Sequence, residues 1–348
     1  MPAYPSEKNT FLRSHEASGK LVVDFARNPK DFAVNKYAQV VPVKKVSGAY
    51  LKMTIEEAGR ITDSNLNDRV WADGEAAPEG NDGTESFEWP TFYCVRRAFP
   101  VKLGNLTIDQ ADWDILAQHS RIKAAQAMTA RTQLAITQAV ATGNYDASHV
   151  LDVTAISGNT GRWDQSTTAR TDIKRSITVA CEKILDDTLA AINLDDLQLV
   201  INTKLAGDLA MSQEIVDYIK GSPDALAYTK GELKGENPNA FYGLPPVLYG
   251  VNLVVEKTRK VTSKKGATRA VSPVLPNATP FLAARPGSLE GVADAPSFST
   301  LTIFAHEEMS AEVKNDPDNR RTIARIVENL VVTMTAPASG VMFQNATG

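Results

Sequence analysis

Cysteine is scarce in this 348-residue chain. Cys94 and Cys181 are the two present, too few for a disulfide framework. They fall in different segments, one in a strand-like region and one on a helix, so both are expected as free thiols. Histidine is almost as rare. His15, His119, His149 and His306 are scattered, and none pairs with cysteine or a second histidine at metal-ligand spacing. No apolar run reaches the 18 residues of a membrane-spanning helix. The opening MPAYPSEKNTF has no apolar core segment and does not read as a signal peptide. Basic excess is absent too. The net charge of −4 excludes a generic basic nucleic-acid binder, although a local basic face is compatible with it. The phosphate loop GxxxxGK[ST], the dinucleotide GxGxxG, HExxH and GxSxG are all missing. Paired acids occur at 56–57, 186–187, 195–196 and 307–308, and read as solvated faces. DPDN at 316–319 lacks the glycine and distal glutamate of a calcium loop and reads as a turn. There is no internal repeat. No catalytic, cofactor or metal site is expected.

What is present begins with a long stretch free of glycine and proline, between Gly104 and Gly143. The spacing predicts one nearly continuous helix over 107–142, roughly 50 Å long. Thr107 and Gln110 fit a capping box at its start. Ile108, Ala111, Ile115, Ile122, Ala125, Met128, Ala135 and Ala139 recur at helical steps. This narrow, alanine-rich stripe lacks the large a/d residues of a coiled coil and reads as a strut.

Around that element the chain is mixed. Residues 1–35 are polar and show no sustained period. Leu51, Met53 and Ile55 alternate as a strand does, and DGEAAPEGNDGTE at 73–85 is an acidic, glycine-bearing tip. From Ser86 to Val101 the chain turns aromatic. Together, 46–103 read as a long two-stranded excursion. Such a hairpin is marginal alone and must lie on something. Asp172–Leu189 reads as a helix, LQLVIN at 197–202 as a strand ending at Asn202, and the segment after it as a helix. A turn and a strand follow at 243–256 and a short strand at 279–284, with strands FSTLTIFA at 298–305 and near Ile326–Thr335 at the end. The fold class is α+β without regular βαβ alternation. RKVTSKKGATR at 259–269 is a basic excursion. Arg259, Lys260, Lys264, Lys265 and Arg269 could touch phosphate, but a solvated excursion is the simpler reading.

The order of elements resembles the major capsid proteins of tailed bacteriophages, the Hong-Kong-ninety-seven-type coat fold. LVINTKLAGDLAMS resembles the strand–Asn–helix segment of that fold's axial domain, and FYGLPPVLYGVNLVV resembles its aromatic-Gly-x-Pro turn and strand. The resemblance implies an N-terminal arm at 1–45, an extended loop at 46–104 and a spine helix of the peripheral domain at 105–150. It implies an axial domain with its preceding loop at 151–297, and strands returning to the peripheral domain at 298–348. The implied function is structural: a non-enzymatic subunit, without cofactors, of an icosahedral shell around double-stranded DNA. The implied partners are further copies in pentamers and hexamers, a separate scaffolding protein, a portal, decoration proteins, and packaged DNA bound without sequence specificity. The implied location is the virion capsid, assembled in the host bacterial cytoplasm. A cellular encapsulin-like shell and an uncharacterised α+β enzyme are the alternative readings.

Trp71, Gly80, Gly83, Phe87, Trp89, Phe92 and Tyr93 are the expected subunit-interface residues. Strand alternation would send Phe87 and Trp89 to one face, and Phe92 with them only if Pro90 inserts an irregularity. Trp89 is the expected anchor, against a neighbouring subunit or the chain's own long helix. Lys52 is a candidate for covalent cross-linking by residue type alone.

Overall fold

The long glycine- and proline-free stretch does not form one helix. In the computed structural model a short helix spans Asn105–Asp109, and the long helix runs from Ile115 to Ala139, 25 residues and about 37 Å. The expected capping box at Thr107 is not the start of the strut. Asp114 is, its carboxylate accepting from the Ala117 amide at 2.9 Å. Aspartate competes for backbone N–H groups near it and so serves better as a cap than inside a helix. His119 lies within the first turns of the strut rather than at a break. The structure describes residues 26–53, 70–76, 87–111, 113–159, 161–164, 172–220, 239, 242–264, 266–285 and 299–348.

The strands follow in order. β1 (Ala38–Pro42) leads to the loop strands β2 (Ser47–Ala49), β3 (Lys52–Met53), β4 (Phe87–Glu88) and β5 (Thr91–Tyr93). β6 (Val95–Gly104) returns to the long helix, and β7 (Val150–Asp152) follows it. β8 (Leu197–Asn202), β9 (Val247–Leu248) and β10 (Val251–Glu256) belong to the next layer. β11 (Arg259–Val261) and β12 (Val271–Pro273) make the basic excursion a hairpin. β13 (Phe281–Ala284), β14 (Leu301–Asp316), β15 (Arg321–Met334) and β16 (Val341–Gln344) complete the chain. The last long pair extends well beyond the expected segments.

Two sheets organise these strands. One has the order β1-β14-β15-β6, with β15 antiparallel to β6 from Arg321↔Gly104 to Leu330↔Val95. The returning arm of the loop is therefore knitted into the sheet beside the long helix. The other has the order β7-β16-β13-β8-β10-β9. Both of its faces are buried, which is why its strands are apolar runs rather than alternating ones. Leu197, Leu199 and Ile201 of β8 face one core, with Trp163 and the Asp172–Asp187 helix. Val200, with Phe281 of β13, faces a second core shared with Met128, Ala135, Ile136 and Ala139 of the long helix. Asn202 ends β8 and caps the next helix, its side chain accepting from Leu205 N at 2.8 Å. That helix stops at Met211, and a second begins at Gln213, so the single expected helix is broken at Ser212.

Candidate assembly interface

The loop's described strands pair as the excursion requires. β2 pairs with β5, Gly48 opposite Phe92, and β3 pairs with β4, Lys52 opposite Glu88. Lys52 Nζ lies 3.0 Å from Glu88 Oε2 across that pair. Both groups are solvated, so the contact is worth at most about 1 kcal/mol.

One aromatic fixes the base of the loop to the sheet. Phe92 stacks on Phe304 of β14, ring centroids 4.3 Å apart and planes 12° from parallel, and Tyr50 lies 5.6 Å from the same ring. Gly48 makes room for it. A Cβ there would sit 2.9 Å from Phe92 Cζ. Cys94 follows on the inward side, buried, its thiol donating to the Phe304 carbonyl at 3.4 Å. Burial pushes the Cys94 thiol up.

Alternation then decides the rest. Thr91, Tyr93 and Val95 turn outward with Trp89, while Phe92 and Cys94 turn inward. Trp89 is 63% exposed and Tyr93 64% exposed. Trp89 therefore does not rest on the chain's own long helix, and Phe92, not Trp89, is the intramolecular anchor. Phe87 pairs with Met53 as a strand residue. Trp71 is 64% exposed beside exposed Val70, in a turn closed by its indole N–H donating to the Glu75 carbonyl at 2.6 Å. Gly80, Gly83 and most of the 73–85 tip lie outside the described residues. The expected set thus divides. Phe92 belongs to the subunit's own packing, while Trp71, Trp89 and Tyr93 are uncovered.

Beneath the loop's return strand lies a buried ion pair that sequence reasoning missed. Arg131 of the long helix meets Glu328 of β15 at 3.2 Å, with side chains 9% and 0% exposed. Burial raises the Glu328 carboxyl above the usual glutamate value, opposed by the Arg131 guanidinium. The arginine on the alanine-rich stripe and the Glu-Asn pair inside an apolar strand were the available signals. A second buried carboxylate, Glu256, accepts from the Tyr37 hydroxyl at 3.1 Å and from Thr258 N at 2.8 Å. Burial, then Glu256 itself, pushes the Tyr37 phenol well up. Both thiols are free, as expected. Among the described residues there is no cluster of metal-ligating side chains.

No protein-family model matches the sequence, and no curated protein matches it. Solved structures do match in fold. A phage-related protein from Bordetella bronchiseptica aligns over 92% of this chain and 94% of its own, at 15% identity and TM-score 0.60. The capsid protein of cyanophage P-SCSP1u aligns over 95% and 92%, at 11% identity and TM-score 0.58. The capsid of Ralstonia phage GP4 aligns over 95% and 94%, at 9% identity and TM-score 0.57. The chain has the phage major-capsid fold. Element order, the long helix beside a long-stranded sheet, and the loop leaving that sheet all follow it.

Proposed function

We propose that this protein is the major subunit of an icosahedral shell enclosing the double-stranded DNA of a tailed bacteriophage. The observation that carries the reading is the exposed face of Trp89, Tyr93 and Val95 on a loop stitched to a phage-capsid fold. Large aromatics left bare on a projecting ribbon are what a neighbouring copy would cover. In this reading 1–45 is the N-arm, 46–104 the extended loop, 105–150 the spine-helix segment, 151–297 the axial domain and 298–348 the return to the peripheral domain. Pentamers and hexamers of the chain close the shell, because cyclic contacts of one surface on another terminate in a closed object. A scaffolding protein, a portal and decoration proteins are the proposed partners, with assembly in the host cytoplasm. The role is structural, and no residue is assigned to catalysis.

The test is expression of the full chain with and without its neighbouring genes, followed by negative-stain imaging and sedimentation. Closed shells of uniform diameter are expected. A discrete small oligomer under both conditions would refute the reading.

A further inference from the structure

Between residues 257 and 269 the chain carries six cations and no acid, although the whole protein is net negative. The fold gathers several of them, with one distant cation, around a cleft of about 610 Å³. Lys257, Arg259 and Arg269 come from the β11–β12 hairpin and its approach, and Arg27 from the segment before β1. Phe32 and Ile122 of the long helix contribute to the walls. Arg27 is held in place by its stacking over Phe32, 4.5 Å from the ring centroid. It also donates to the Asp31 carbonyl. Arg259 donates to Thr203 Oγ1 at 3.1 Å, and Lys260 beside it to Gln133 Oε1 at 2.7 Å.

None of Arg27, Lys257, Arg259, Lys260 and Arg269 forms an ion pair among the described residues. Asp31 offers Arg27 its backbone oxygen rather than its side chain. Glu256, the nearest acid on the adjoining strand, is buried with both oxygens hydrogen-bonded to Tyr37 and Thr258. Among the described residues these like charges are drawn together without a paired carboxylate, and such a cluster matches an external polyanion.

We propose that this cleft and the β11–β12 hairpin are a docking site for the phosphodiester backbone of duplex DNA. The inference rests on the reading of the chain as a DNA-enclosing shell subunit, and it names the surface that faces the polymer. The contact is to phosphate and not to bases. The groups are point charges and guanidinium forks on a rim, with nothing arranged for a groove, so binding is independent of sequence.

The experiment measures binding of a fluorescent 30-base-pair duplex of arbitrary sequence to the full unassembled chain, by anisotropy across a salt series. Four neutralised phosphates give a slope of log K against log[salt] of about −3.6, roughly a hundredfold loss between 50 and 200 mM salt. The variant Lys257→Gln/Arg259→Gln/Arg269→Gln is expected to reduce the slope by about 2.7. Arg269→Gln alone, at an exposed position, reduces it by about 0.9. The control Lys44→Gln/Lys174→Gln/Lys314→Gln, the same charge change at exposed sites elsewhere, leaves it within error. The triple variant should still form shells, with less DNA retained after nuclease treatment. If both cleft variants bind the duplex with the parent's slope, the proposal is wrong. If the triple variant keeps its DNA affinity but no longer forms shells, the cleft receives an acidic segment of a neighbouring copy instead. That outcome overturns the proposal while leaving the shell function intact. Absence of shells from the parent protein would strike the function itself.

Discussion

Removing one member of the Arg131–Glu328 pair is the sharpest test of how the long helix is held. The two groups lie 3.2 Å apart, 9% and 0% exposed, and join the strut to β15, the strand that also carries the returning arm of the loop. Among the described residues Glu328 Oε1 and Arg131 Nε have no hydrogen-bond partner, so the pair is not fully satisfied even when intact. Glu328→Leu leaves a guanidinium buried without its counter-charge, and breaking such a pair costs about 3–5 kcal/mol. Arg131→Met falls toward the low end of that range, because Arg97 also acts on the Glu328 carboxylate. The double variant removes both charges and is expected to be neutral or more stable than the parent, since neither desolvation cost is then carried. The assay is urea unfolding of the unassembled protein at low concentration. With a slope of about 3 kcal/mol per molar, each single change shifts the midpoint down by roughly 1–1.7 M. The double change restores it, with a coupling energy of several kcal/mol in the cycle. If the single substitutions move the midpoint by less than about 0.3 M, or if the double variant shows their sum, the pair is not what fastens the strut.

The same carboxylate sets a pH dependence. Its folded pKa is raised by burial, so its contribution to stability is fully present below the ordinary glutamate value and is lost as pH rises through the raised one. Glu328→Gln should abolish that decline, seen as a flatter profile of the urea midpoint between pH 4 and neutrality. Trp89→Ala should leave the circular dichroism of the free chain unchanged and lower the melting temperature of assembled shells, or divert the product to small oligomers. Parent-like shells would mean that the loop is held otherwise. Gly48→Ala places a methyl 2.9 Å from the Phe92 ring and should cost about 1–3 kcal/mol by prising it off Phe304, measured by the same urea titration. Intact mass under non-reducing conditions should show no disulfide. Both thiols should react slowly with a disulfide reagent at pH 8 until the chain is unfolded, since burial raises Cys94 and pushes Cys181 up to about 11.

Local pattern alone determined much of this protein. A helix over 172–187, a strand closing at Asn202 with a helix capped by it, and the apolar run at 281–284 follow from residues that interact with near neighbours along the chain. So does the choice of which loop residues share a face, because strand alternation needs only two-residue parity and separates Phe92 from Trp89 and Tyr93. The order of these elements was sufficient to resemble the capsid fold.

Other features depended on contacts hundreds of residues apart in sequence. Phe92 became an internal anchor because Phe304 arrives beside it in β14, and nothing near position 92 encodes that meeting. The polar pair at 328–329 in an otherwise apolar strand is intelligible only once Arg131 is found facing it. The excursion at 259–269 read as solvated because its charges were counted along the chain. Folding brings Arg27 to the same cleft and sets the buried acid Glu256 behind it, hydrogen-bonded to Tyr37. Helix ends fell between these cases. The strut's true start at Ile115 was encoded by Asp114, but a cap and a solvated acid are the same residue until the amide it accepts from is in place.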